Sequence, residues 1–325
     1  MKKIAVIGAG ISGLTFANQL KDKYNITIFD KARSVGGRTS TRYFENYQFD
    51  YGAQFFTAKT DEFKEFCQDL EEKEVIKPWK ANFAVIDNYK IDKKWQFDAD
   101  YPHYVGIPKM NMVAKHLARN LEIILQTEIS KIDFKENKWH LEDSNENGYN
   151  DFDYLIIAIP SHQAINLIPQ DSILYQNVEA KKMQGCFCLM LGFKEELSLE
   201  FDAAFVTNSI LSWISIDSTK PQRPDGFSLL TTSSNLWADE NIENDLKENE
   251  KKLLDELKKI IDFKEENISY KQIRRWKYAN AKKSYDEQFL FDKEHNLGVC
   301  GDYFIQGRIE NAYLSGYNLA KFLDS

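Results

Sequence analysis

The feature that most constrains this chain is the pattern Gly8-x-Gly10-x-x-Gly13, which sits between an apolar run and a helical repeat. Residues 3–8 (KIAVIG) read as a short buried strand. Residues 12–23 place Leu14, Ala17 and Leu20 on one helical face, and residues 25–30 (NITIFD) read as a second buried strand. Strand, helix and strand in this order make a βαβ unit, whose helical crossover forces the two strands parallel. In that setting each glycine has a physical purpose. Gly8 permits the tight turn, Gly10 lets a pyrophosphate approach the backbone, and Gly13 lets the helix pack on the strand. The helix start then offers unpaired N–H groups and positive dipole character to the phosphates. Asp30 closes the second strand, where a carboxylate can accept hydrogen bonds from the ribose hydroxyls of an adenosine.

The next segment, Lys31 to Arg42 (KARSVGGRTSTR), continues this theme. Glycine torsions at Gly36 and Gly37 let the loop fold over a diphosphate, and Arg38 can give it a charge-assisted bond. Near the other end of the chain, Gly301-Asp302 follows a strand and Gly307 to Ala312 opens the last helix. Between these ends the pattern alternates. A helix is expected over 61–72 and aromatic-rich short strands over 74–104. A second helix is expected over 107–120, and LEIILQ, EISKIDF and KWHLED read as a three-strand meander. Residues 152–160 are a continuous apolar strand, 184–233 alternate like antiparallel sheet, and 238–262 form a charged helix with Leu246, Leu253, Leu254, Leu257 and Ile261 inward. The expected fold class is α/β, with a Rossmann-type domain and an interleaved mixed or antiparallel β-sheet domain. The first is assigned to 1–60, 105–165 and 290–325, and the second to 61–104 and 166–289.

Composition narrows the partners. The net charge of −8 is the wrong sign for a duplex-binding protein. Cys67, Cys186, Cys188 and Cys300 show no CxxC pair and no metal-like spacing, so no metal site is expected and the thiols read as reduced. No run is long enough to span a membrane, and the first apolar run breaks at Gly8 and Gly10, too early for a signal peptide. These points give the expectation of a soluble, cytoplasmic protein. Aromatic residues make up 14% of the chain, enough either to line a pocket with flat rings or to fill an aromatic core.

Taken together, VIGAGISGLTFANQL, FDKARSVGGRTSTR, FDYGAQFFT, YVGIPKMNMVAKHLA, FDYLIIAIPSHQA, WISIDSTKPQR, IRRWKYA and GVCGDYFIQGRIENAYLSGYNLA resemble the flavin-containing amine oxidase superfamily, within it the renalase-like branch. The DxGAQxFT, SxKP and RWxYA pieces are the more specific ones. The resemblance implies a two-domain, p-hydroxybenzoate hydroxylase-like fold that binds FAD. Carried over by position, the cofactor contacts are Gly8, Gly10, Ser12, Gly13, Asp30, Arg38, Gln54, Ile129, Asp302 and Ile309, joined by Lys31 and Gly37 from the loop. Asp30 stands where the family usually has glutamate. No cysteine matches a covalent attachment position, so the FAD is expected to be dissociable.

The implied reaction is oxidation of the 2- or 6-dihydro isomers of NAD(P)H to NAD(P)+, with dioxygen giving hydrogen peroxide. A dihydropyridine gains aromaticity on losing hydride, so no general base is required, and the site must only hold the ring close to the flavin and dry. Gln54, Trp213 and Tyr278 are the candidate catalytic residues on the substrate side. The alternatives are a flavin amine oxidase acting on a small amine, and a flavin carrier without turnover.

Overall fold

The computed structural model describes residues 1–282 and 285–325. The chain divides into two compact units. The first comprises Met1–Arg38, Val113–Met183 and Asn280–Ser325, and the second Thr39–Met112 and Gln184–Ala279. Residues 39–60 and 105–112 fall in the second unit, and 166–183, 280–282 and 285–289 in the first, the reverse of the assignment expected from the sequence. The chain leaves the first unit directly after the loop that ends at Arg38.

The first unit is organised by a six-stranded sheet. β1 (Lys3–Ile7) lies at its centre, and α1 (Ile11–Leu20) connects it to β2 (Asn25–Asp30). β1 pairs in parallel with β2 on one side and with Tyr154–Ile157 on the other. Leu297–Cys300 extends the sheet in parallel, and Phe289–Asp292 closes that edge antiparallel. On the far edge Glu122–Leu125 pairs in parallel with β2. This last pairing corrects the expected meander. Glu122–Leu125 is a sheet strand, and the meander is built from Ile129–Lys135, Lys138–Asp143 and Gly148–Phe152. Local alternation cannot distinguish these two uses of a short strand, because both bury one face.

The last helix, Ile309–Asp324, packs on α1 within this unit. Its Gly316 lies so close that an added Cβ would sit 2.1 Å from the carbonyl oxygen of Ser12. The two ends of the chain are thus joined backbone to backbone.

The second unit is built on a seven-stranded sheet in the order Ile268–Ala281, Met183–Phe193, Ser228–Ser233, Leu211–Ile216, Ala203–Thr207, Asn82–Asp87, Lys90–Gln96. From Met183–Phe193 to Lys90–Gln96 the pairings are antiparallel except where Ala203–Thr207 runs parallel to Asn82–Asp87. One face carries the main apolar core, in which Phe187, Leu189, Leu191, Ile214 and Leu229 meet Leu253, Leu254 and Leu257 of the helix Leu246–Leu257. The expected helix over 238–262 is two helices. Asn235–Asn241 ends early, and Asp245 restarts the chain by accepting from the N–H groups of Lys247 and Glu248. Leu246, expected inward, is 38% exposed at that new start. The helix expected over 107–120 is confined to Met112–Leu117.

All four cysteines are free, and burial pushes the thiols of Cys186 and Cys300 up to about 11 and about 12. Among the described residues no helix is long and apolar enough to cross a membrane.

Candidate functional site

In the first unit the site grows out of the turn between β1 and α1. Gly8 has φ +110°, where an L side chain is strained, and an added Cβ would lie 2.7 Å from the Ala158 carbonyl oxygen. A Cβ on Gly13 would fall 2.2 Å from the oxygen of Gly8. Gly10 differs from both: a Cβ there would meet no atom within 4 Å. Two of the three glycines are therefore demanded by the protein's own packing. The third leaves a cradle beside the start of α1, and no side chain caps that helix end. This is the fit expected of a diphosphate held by helix N–H groups.

Asp30 stands at the end of β2. One carboxylate oxygen accepts from the N–H of Ala9 at 2.7 Å and the other from the N–H of Ala32 at 2.8 Å. A carboxylate has about four acceptor positions, so these two bonds aim the group while leaving it capacity for sugar hydroxyls. The loop above is tied down by the Gly36 N–H, which donates to the Ala9 oxygen at 2.9 Å. A Cβ on Gly37, at φ +50°, would have Gly10 Cα as its nearest neighbour, 3.8 Å away. Ser12 is buried in α1, Ile129 is buried at the start of its strand, and Ile309 is buried at the start of the last helix. Lys31 is exposed and pairs with Glu128 at 3.0 Å.

The sequence gives Arg38 to the diphosphate, and the resemblance places Asp302 among the cofactor contacts. The structure joins them: Arg38 Nη1 and Nη2 donate to the two Asp302 oxygens at 2.9 and 2.5 Å. Asp302 is almost fully buried, and a planar guanidinium fork is the partner that satisfies both its oxygens at once.

The second unit holds a constellation that the sequence reading missed. Asp50, Asp217, Lys220 and Arg223 have completely buried side chains. Asp50 accepts from Arg223 Nη2 at 2.6 Å and from the Thr41 hydroxyl at 2.7 Å, with Lys220 Nζ at 3.5 Å. Lys220 Nζ is 2.7 Å from Asp217, which also accepts from the Asp50 N–H at 2.6 Å and the Ser215 hydroxyl at 2.8 Å. Burial alone would raise the Asp50 carboxyl. Lys220 and Arg223, with the bond from Thr41, outweigh it and hold the group below its ordinary range. Burial, with the neighbouring Asp50 charge, pushes the Asp217 carboxyl the other way, upward, against the pull of Lys220. With all four groups ionised, two carboxylates and two cations balance.

Of the three candidate catalytic residues, Gln54 lies against this cluster, with its Oε1 2.9 Å from the Ser215 hydroxyl. Trp213 is buried two residues before Ser215 and packs on Phe55 and Phe205, with centroids 5.4 and 4.8 Å apart. Phe83 and His103 extend the ring cluster, and burial pushes the His103 imidazole below its usual value, towards the neutral form. Tyr278 is half-buried on Ile268–Ala281, two residues beyond Trp276. Trp276 stacks on Tyr51 at 5.2 Å and donates from Nε1 to the Tyr51 oxygen at 2.9 Å. The three specific motifs thus converge within one unit: SxKP and RWxYA both grip the DxGAQxFT turn.

A parallel sheet with a glycine-lined helix start and an acid at the next strand end defines a dinucleotide-binding oxidoreductase fold. Residues 6–70 match the NAD(P)-binding Rossmann-like domain family, and residues 83–321 match the family described as flavin containing amine oxidoreductase. The chain belongs to the flavin-containing amine oxidoreductase family, and its cofactor is FAD.

Solved structures share the fold across nearly the full length at low identity. A protein from Exiguobacterium sp. 255-15, provisionally assigned as a protoporphyrinogen oxidase, superposes with a TM-score of 0.79 at 11% identity, covering 99% of this chain and 98% of that one. A triple mutant of putrescine oxidase gives 0.75 at 12%, with coverage of 99% and 98%. An oxidoreductase from Methanosarcina mazei gives 0.74 at 14%, with coverage of 98% and 100%. A 1-hydroxycarotenoid 3,4-desaturase from Flavobacterium sp. (strain P99-3) is 38% identical over 74 residues, which span 22% of this chain and only 15% of the desaturase.

Proposed function

We propose that this protein is a renalase-like oxidase, which takes hydride from 2- or 6-dihydro isomers of NAD(P)H and returns NAD(P)+. In the net reaction the dihydropyridine, dioxygen and one proton give the pyridinium and hydrogen peroxide. FAD, when bound, would supply the hydride acceptor and the redox couple through which the electron pair reaches oxygen. The protein's part is to hold FAD on the first unit through Gly8, Gly10, Ser12, Gly13, Asp30, Lys31, Gly37, Arg38, Ile129, Asp302 and Ile309. Trp213 and Tyr278 meet the substrate, and the turn through Gln54 supports that side.

The observation that carries this reading is the charge balance of the second unit. Asp50 and Asp217 are already matched by Lys220 and Arg223, so this cluster offers no net negative charge to attract an ammonium group. The rings beside it, Phe55, Phe83, His103 and Trp213, suit a flat uncharged ring. Loss of hydride from a dihydropyridine asks for no base.

The second reading is an amine oxidase, favoured by the family itself. An anaerobic donor screen separates them. Borohydride-generated isomers of NADH and NADPH are expected to bleach the visible flavin band rapidly, and small amines slowly or not at all. Rapid bleaching by an amine with none by the isomers would reject the first reading.

A further inference from the structure

The Gln54 side chain has two donors and an oxygen that accepts two bonds. Every one of these is taken inside its own unit. Nε2 donates to the carbonyl oxygens of Asp50 and Gly52, the second at 3.3 Å. Oε1 accepts from the Ser215 hydroxyl at 2.9 Å and faces Lys220 Nζ at 3.5 Å. Turning the amide over would set its NH2 against an ammonium and its oxygen against two carbonyls, so the orientation is over-determined. An amide used in this way has nothing left to offer a reacting molecule.

What the lock does hold is the next residue. Ser215 and Trp213 are two apart on Leu211–Ile216 and share a face of the sheet. Gln54 is bonded to the first and Phe55 packs on the second. The turn is therefore laid along the strand residue against residue, and the ion cluster behind Ser215 fixes it there.

We infer that Gln54 is a positioning residue whose locked amide sets the Phe55 ring against Trp213, shaping the ring surface that receives the substrate. This rests on the reading that Trp213 faces the substrate.

The test is a double-mutant cycle in FAD-loaded protein, with Ser215→Ala, Gln54→Met and the pair, read by anaerobic flavin reduction. Each single change is expected to raise the donor's dissociation constant about tenfold while the limiting rate changes less than about threefold. The double variant is expected to match the singles, because both remove the same link. Unchanged dissociation constants would overturn the inference, as would effects that multiply. A fall in limiting rate alone would also overturn it, since the amide would then act on the reacting atoms. Gln54→Glu, which keeps the oxygen's contacts and loses both donors, gives a second route into the cycle should Gln54→Met fail to load FAD. Wild-type protein reduced by amines and not by the nicotinamide isomers would sink the substrate reading alone, and the cycle is then run on the amine. Reduction by neither would overturn both.

Discussion

Replacing Lys220 by methionine is expected to cost about 3–5 kcal/mol of folding stability. In a thermal melt that is a fall of roughly 10 °C for a unit of this size. Methionine nearly preserves the volume, so the effect is electrostatic. Lys220 is fully buried, 2.7 Å from Asp217 and 3.5 Å from Asp50. Without it two carboxylates remain buried with only Arg223 as countercharge, and one must take up a proton or draw in water. The comparison is Lys94→Met, which breaks a pair with Glu200 in which both partners are substantially exposed. That change is expected to move stability by less than about 1 kcal/mol. Equal effects from the two variants would mean that the buried cluster does not depend on its lysine.

Gly13→Ala is expected to cost about 3 kcal/mol, the upper part of the range for overpacking, and to abolish FAD uptake. The added methyl would stand 2.2 Å from the Gly8 oxygen, with Ala158 Cβ at 3.1 Å and a Val6 methyl at 3.2 Å. The first of these is backbone in the tightest turn of the unit, so α1 itself would have to lift from the sheet. A variant that melts like wild type and binds FAD normally would show that α1 can move away at little cost.

The fold was largely legible because the βαβ unit announces itself within a few residues: apolar runs for β1 and β2, a helical repeat for α1, and glycines where the chain turns. The partners of those strands were harder to read. Glu122–Leu125 looks locally like a meander strand, and only its distant pairing with β2 places it in the parallel sheet. The helix break before Asp245 carries a capping residue, but the many charges on both sides of it continue the pattern of one solvated helix face. The Arg38–Asp302 pair spans 264 positions, and the Asp50–Arg223 pair 173. Charged residues of this kind read as surface unless something shows that they are buried together. The one available signal was that Asp50, Lys220 and Arg223 all lie in or beside the most family-specific motifs, where a buried charge has a reason to persist.

A diphosphate lying against the start of α1 is what Gly10→Ala puts to the test. Gly10 has φ −79° and ψ 179°, a conformation alanine adopts freely, and its Cβ would touch no protein atom within 4 Å. The FAD-free variant should therefore melt at or slightly above the wild-type midpoint, because alanine lowers the entropy of the unfolded chain. Its dissociation constant for FAD, read by recovery of flavin fluorescence, should rise at least about tenfold, equivalent to about 1.4 kcal/mol. An unchanged affinity in a protein that melts normally would contradict the account, for the methyl group would then have displaced nothing.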